Sequence, residues 1–410
     1  METVEIYSER VSRYGHKIGE DALPFANTAG MFVADGMGGS AGIRVIKLHP
    51  NCFDPEWLAE KLCKRFQMEE DYGPEAASAF AAYIKRSLAS LMTSEMAEIY
   101  RQSASRYELL KKSGYIGSHA LGCVLAGFLI ALEQSLPTLS RENWETILNA
   151  SAKEIFWDYT EVIDLLGAQC AQTAMSKIDY YGTTLSAAFY QETRDEVCVC
   201  FLNCGDSRSY VWDTDGLRQA AEDQGRNGGV MERFSHNGQP AHVSCEWKTY
   251  RKPCVLFCMT DGVYSIFSGK GGFPSSPLYM EGVLLNIFAQ TGTLKQAAEQ
   301  MTDTFNRYGQ GDDSNSMAIA AFGFGPELTL QAAARDRLDA LERQYGLSRM
   351  PEDFLVVDYG PETMQGSLGH RKQYQKLQKA QKSIFEDYLQ KHLSEVSKSK
   401  RDDVARNGWL

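Results

Sequence analysis

Short apolar runs stand on both sides of a long block with helical periodicity, and no other feature of this 410-residue chain constrains its fold as tightly. Residues 29–35, 184–190, 196–203, 208–212, 254–259 and 316–322 are brief and apolar, several of them β-branched or aromatic, which is strand character. Turn-forming residues separate them, and connections of hairpin length predict mainly antiparallel pairing. Between residues 54 and 179 the period becomes helical. Asp54-Pro55 offers a cap and a first turn, Pro74-Glu75 opens a long helix predicted to stop near Ser113-Gly114, and Ser140 caps another. Thr293-Leu294-Lys295-Gln296 fits a capping box whose helix is predicted to end near Gly309. After Phe324-Gly325-Pro326 the strands cease, and residues 328–345 and 373–396 read as helix. The class that fits this order is α+β.

Composition narrows the function by exclusion. A formal net charge of -11 argues against a general nucleic-acid or anionic-membrane binder. Residues 1–10 carry charges and no apolar run, so no secretory signal is expected. The longest apolar run, 120–132, falls short of the roughly 20 residues a membrane span needs, and is expected to be a core element. Ten cysteines without a small-domain spacing pattern point to reduced thiols and a cytoplasmic protein. Cys198, Cys200 and Cys204 lie in or beside an apolar alternating run. With no CxxC pair and no Cys/His knuckle nearby, they read as buried strand thiols rather than a zinc site. His49, His119, His236 and His242 have no motif around them and read as structural or surface residues.

Acids placed at strand ends carry the chemistry. Glu20-Asp21 follows an early basic segment, Asp35-Gly36 ends the run 29–35, Asp261-Gly262 follows the run 254–259, and Asp312-Asp313 precedes the last strand. Asp206 stands in Asn203-Cys204-Gly205-Asp206-Ser207-Arg208. A glycine beside the acid permits a sharp turn and a close backbone carbonyl. Any one Asp-Gly is most often only a turn. Several carboxylates brought together are a different matter, because Mg²⁺ and Mn²⁺ take oxygen ligands in octahedral array with positions left for water.

In order, Gly19-Glu20-Asp21, Val33-Ala34-Asp35-Gly36-Met37-Gly38-Gly39, Tyr181-Gly182-Thr183-Thr184, Asn203-Cys204-Gly205-Asp206-Ser207-Arg208, Met259-Thr260-Asp261-Gly262-Val263 and Asp313-Ser314-Asn315-Ser316 resemble the PPM family of metal-dependent serine/threonine protein phosphatases. The resemblance covers most of residues 13–324. It implies a four-layer α-β-β-α sandwich of two mainly antiparallel sheets flanked by helices, with added helices. The phosphatase domain is then 1–325, with a helical insertion near 106–153, followed by a helical C-terminal extension, 326–410. The last stretch of that extension, rich in Lys, Arg and Gln, reads as a solvated helix or frayed tail ahead of a segment that docks a partner or packs on the domain.

By position, the resemblance implies that Asp35 bridges two Mn²⁺ or Mg²⁺ ions, that the Gly36 carbonyl serves one, and that Asp261 and Asp313 complete the other. Glu20 and Asp21 correspond to the acidic pair near the second ion, acting mainly through water. Asp206 corresponds to the acid that helps hold a third, weaker ion in many members. The implied reaction is hydrolysis of phosphoserine or phosphothreonine in a phosphoprotein, with a metal-bridging hydroxide as nucleophile. Asp35 and Asp261 are the catalytic candidates.

Two departures from the family pattern stand out. Where members usually carry a phosphate-gripping arginine, four positions before the glutamate, this chain has His16 followed by Lys17. Lysine gives a point charge and histidine is partly protonated near neutral pH, whereas arginine clamps bidentately. Arg13 or Lys17 is the candidate substitute, and His16 and Lys17 are the candidate phosphate-binding residues. The second departure is the long interval from Gly39 to Gly182. Two alternative functions keep the same fold: a phosphoprotein-binding regulator with little or no turnover, and a phosphatase of small phosphate esters.

Overall fold

The computed structural model describes residues 2–9, 19–36, 45–47, 54–88, 113–135, 140–166, 169–170, 181–222, 224, 233–235, 241–264, 293–297, 316–325, 332, 335–336 and 339. Two five-stranded antiparallel sheets pack face to face. One has the order β1 (Glu2–Glu9), β12 (Ser316–Phe324), β11 (Cys254–Met259), β8 (Arg208–Asp213), β9 (Gly216–Gln219). The other runs β10 (Ser244–Arg251), β7 (Glu196–Cys204), β6 (Leu185–Glu192), β3 (Gly30–Val33), β2 (Phe25–Ala26). A two-stranded ribbon joins β4 (Val45–Lys47) to β5 (Gln169–Cys170).

Alternation explains why these strands are buried on both faces. Met31, Val33, Ala188, Tyr190, Val199 and Phe201 point from the second sheet toward Val211, Leu256, Cys258, Ala318, Ala320 and Phe322 of the first. The intervening residues Phe32, Ala34, Ala187, Phe189, Cys200 and Leu202 point the other way, into the helices. Tyr190, Phe322 and Phe324 close one part of the inter-sheet core, with ring centroids 4.7–5.0 Å apart. Each aromatic pair adds about 0.5–1.5 kcal/mol beyond the area it buries.

The helical layer is built from α1 (Pro55–Arg65), α2 (Met68–Tyr72), α3 (Pro74–Leu88), α4 (Ser113–Ser135) and α5 (Arg141–Leu166). The caps follow the sequence. Asp54 Oδ1 accepts from the amides of Glu56 and Trp57, and Ser140 Oγ accepts from that of Asn143. Thr293 Oγ1 accepts from the Gln296 amide as a capping box requires. The remainder of that helix, including the predicted end near Gly309, lies outside the described residues. Ser113-Gly114, predicted as a helix stop, is where α4 begins. The Gly114 carbonyl lies against Gly36, where a Cβ would come within 2.6 Å of it.

Helix α4 is the innermost of these helices. Over Gly114–Ser135 it is long and apolar enough by composition to cross a membrane, and 89% of that apolar window is buried inside the protein. It comes close to the sheet because Gly30 has no side chain: a Cβ there would lie 2.7 Å from both the Ala188 carbonyl oxygen and Leu129 Cδ2. Asn27 Nδ2 ties the β2–β3 turn to it by donating to the Leu129 carbonyl at 3.0 Å. His119, within α4, is buried, with its ring Nδ1 2.9 Å from the Tyr115 carbonyl and the ring stacked on Tyr115. That is the structural role its sequence context suggested. Residues 326–410, the expected C-terminal extension, lie almost wholly outside the described residues.

Candidate functional site

Five of the acids, from four segments, meet at one end of the sandwich. Strand β3 delivers Asp35, β11 delivers Asp261, β7 delivers Asp206, and the segment preceding β2 carries Glu20 and Asp21. Glu20 and Asp21 are buried, whereas Asp35, Asp206 and Asp261 keep partial access to solvent. His16, Lys17 and Asp313 lie outside the described residues, as do Met37, Gly38 and Gly39.

Hydroxyls hold this end together. Thr260 Oγ1 donates to Asp21 Oδ2 at 2.9 Å and accepts from the Ala318 amide at 2.9 Å, so one side chain ties the acid to the start of β12. Ser316 Oγ accepts from the amides of both Glu20 and Asp21, at 2.9 and 3.0 Å. Ser118 of α4 donates to the Glu20 carbonyl. Thr183 Oγ1 and the Thr184 amide both donate to the Asp35 carbonyl at 2.9 Å, which fixes the peptide that follows the acid. Two hydroxyl pairs, Thr184 with Ser207 at 2.6 Å and Ser186 with Ser209 at 2.7 Å, bind the starts of β6 and β8.

The glycines beside the acids divide into two kinds. Gly205 needs its conformation, with φ at 94°. Gly36 and Gly262 need their emptiness instead. A Cβ on Gly36 would strike the Glu20 and Gly114 carbonyls, and one on Gly262 would strike the Ser316 carbonyl. The backbone therefore converges here as closely as the side chains do.

Electrostatics follow from that convergence. Burial pushes the Asp21 carboxyl up to about 6, opposed by hydrogen bonds from Asp35, Thr260 and Ser316 and reinforced by the charge of Glu20. Asp35 is pushed well above the ordinary carboxylate range, first by burial, then by the charges of Asp261 and Asp21, by its hydrogen bond to Asp21, and by the charge of Asp206. Two neighbouring carboxylates sharing a proton is the expected state when no cation lies between them.

The donors are oxygens only, the type that suits Mg²⁺ or Mn²⁺. Among the described residues, no three His, Cys, Asp or Glu side chains stand close enough together to hold an ion in the present arrangement. Cys198, Cys200 and Cys204 lie on β7 with buried side chains.

No protein-family model matches the chain, and no curated protein matches it either. Its fold does have likenesses among solved structures. Several of those neighbours are serine/threonine phosphatases. A bacterial serine phosphatase variant is 12% identical with a TM-score of 0.42, the match covering 79% of this chain and all of that one. The catalytic domain of PstP in complex with two manganese ions is 14% identical with a TM-score of 0.34, over 78% of this chain and 96% of that one. The PPM phosphatase MsPP from Mycobacterium smegmatis, in complex with cacodylate, is 13% identical with a TM-score of 0.33, over 79% and 99%. Likeness of this degree carries no argument about chemistry, which rests on the residues themselves.

Sequence reasoning found the acids and missed most of what orients them. Thr183, Thr260 and Ser316 lie inside the quoted motifs, but nothing in their spacing revealed which carboxylate or peptide each would bond. Ser118 gave no signal at all, being one hydroxyl in an apolar helix.

Proposed function

We propose that the chain is a metal-dependent serine/threonine protein phosphatase. The observation that carries this reading is the approach of Asp21, Asp206 and Asp261, from three separate segments, on Asp35, whose negative charge they oppose. Buried like charges are costly unless a cation compensates them. We assign Asp35, the Gly36 carbonyl, Asp261 and Asp313 to two Mn²⁺ or Mg²⁺ ions, Glu20 and Asp21 to water around the second, and Asp206 to a third. When bound, such ions supply charge to the phosphoryl oxygens and an activated water for in-line attack.

The protein's own groups do the positioning. Thr260 orients Asp21 through one carboxylate oxygen. Thr183 and Thr184 hold the Asp35 carbonyl, so the direction of the Gly36 peptide is set before any ion arrives. Burial and the neighbouring charges favour the protonated form of the Asp35 carboxyl, and ion binding works against it. His16 and Lys17 are assigned to the substrate phosphate, a phosphoprotein is the assigned partner, and the cytoplasm is the assigned setting. The free thiols of the eight cysteines with described side chains support the last of these.

Phosphate release from a phosphoserine or phosphothreonine peptide, measured with Mn²⁺, with chelator and with Asp35→Asn, tests the proposal. Release that needs the metal and is lost in Asp35→Asn is expected. Release indifferent to both overturns it. Tight phosphopeptide binding without turnover would favour a regulator, and turnover of free phosphomonoesters alone would favour a small-molecule phosphatase.

A further inference from the structure

Away from the carboxylates, under α5, a second pair of reactive groups is built into the second sheet. Cys200 of β7 and Cys245 of β10 have their sulfurs 3.3 Å apart. In the register of the two strands Cys200 stands opposite Trp247 and Cys245 opposite Leu202, so the thiols are diagonal neighbours across the ladder. Cys200 is buried, whereas Cys245 is partly open to solvent. The Cys245 thiol also lies 3.4 Å from Asn149 Oδ1 of α5, a hydrogen-bond acceptor for its proton.

We propose that Cys200 and Cys245 form a reversible, redox-active dithiol that hydroperoxides convert to a disulfide joining β10 to β7. Three features support the assignment. The sulfurs are already in contact, and a bond length of about 2.05 Å requires them to close by roughly 1.2 Å. Strand β10 lies at the edge of its sheet and is only half-buried along most of its length, so a single neighbouring strand, β7, constrains it within the sheet. The two thiols are also chemically unequal. The hydrogen bond with Cys200 holds Cys245 below the ordinary thiol range, while the same contact and burial push Cys200 up. By contrast, burial pushes Cys123, Cys254 and Cys258 up to about 12. The more acidic thiol is thus the more exposed one, the combination that makes a cysteine reactive.

The chemistry balances with the oxidant named. The Cys245 thiolate attacks one oxygen of a hydroperoxide, the O–O bond breaks, and a sulfenic acid and an alcohol or water result. The Cys200 sulfur then attacks the Cys245 sulfur, the S–O bond breaks, and the departing hydroxide takes the Cys200 proton as water. Two thiols lose two electrons and the peroxide gains them. A small dithiol reverses the step by exchange.

Treating the reduced full-length protein with hydrogen peroxide, blocking remaining thiols with N-ethylmaleimide and digesting without reductant reads the outcome by mass spectrometry. The expected result is a linked pair of peptides lighter by two hydrogens, loss of N-ethylmaleimide labelling at Cys200 and Cys245 before Cys63, and full recovery with dithiothreitol. Because Cys198, Cys200 and Cys204 share a stretch of strand, the measurement is repeated with Cys198 and Cys204 replaced by alanine. In Cys200→Ser, Cys245 should instead be trapped by dimedone as a sulfenic acid. Retained labelling of both cysteines while Cys63 is oxidised, or a link from Cys245 to any other cysteine, overturns the proposal. The wild-type linkage is read without any variant, so a misfolded substitution does not remove the test.

Discussion

The inter-sheet core of the sandwich is buried throughout and its carboxylate end in part, and burial acts in opposite directions in the two. Along the strands it removes Leu256, Phe322 and Tyr190 from water and stabilises the fold. At the strand ends it surrounds Asp21 and Asp35 with protein and drives their carboxyls up. The first region is complete as it stands. The second is held in a costly state by hydroxyl and amide hydrogen bonds, a state a bound cation would relieve.

The sharpest way to break this contrast is Asp35→Asn. Removing the central charge of a two-ion site should lower metal-dependent phosphate release by about 10²–10⁴-fold, read as kcat on a phosphopeptide. Phe322→Ala tests the other region: loss of a buried ring packed on Tyr190 and Phe324 should cost about 3–5 kcal/mol of unfolding free energy, with or without Mn²⁺. A core variant whose cost depends on the metal would erase the distinction between the two regions.

A third prediction concerns pH. The folded-state carboxyls of Asp21 and Asp35 lie above their ordinary value of 3.8, so the folded protein retains protons that the unfolded chain has already lost. Stability of the metal-free protein should therefore fall as pH rises from about 4 through about 6, Asp21 contributing roughly 2–3 kcal/mol of that loss. Chemical denaturation across this window checks it, with saturating Mn²⁺ expected to abolish the slope and Asp35→Asn expected to reduce it. The smallest effect is expected for Thr260→Val, which keeps the shape but removes the bond to Asp21 and orphans the Ala318 amide. A cost of about 1–3 kcal/mol should accompany a fall in kcat with little change in KM.

The two regions also differ in how far the sequence reveals them. The strands that became β6, β7, β8, β11 and β12 are visible as apolar runs, with ends within a few residues of those observed, because each is buried on both faces. Strand β1 escaped notice, since its buried residues Val4 and Ile6 alternate with exposed Thr3 and Glu5 in a segment that reads as charged. Strand β10 escaped for a similar reason at the opposite sheet's edge: Ser244, Glu246 and Lys248 interleave with Cys245, Trp247 and Thr249 in a strand that is only half-buried. At the candidate site, strand-end position and neighbouring glycines made the acids legible. The hydroxyl partners were not, because a Thr260 to Asp21 bond spans 239 positions and no local pattern encodes it. Gly36 and Gly262 look like turn residues in sequence and prove to be points of backbone contact.

Helix α4 bears on how the chain comes to be made. It leaves the ribosome as a stretch apolar enough to be taken for a membrane segment, and at that moment only part of its shelter exists. Asn27, Gly30 and the Phe80 ring, which Gly127 accommodates, have already been synthesised. Phe189 of β6, whose ring meets Phe128 at 5.5 Å, follows some sixty residues later. Among the described residues α4 is thus the segment most in need of shelter during synthesis, and slowing translation between α4 and β6 should lower the yield of folded protein more than slowing it after β12.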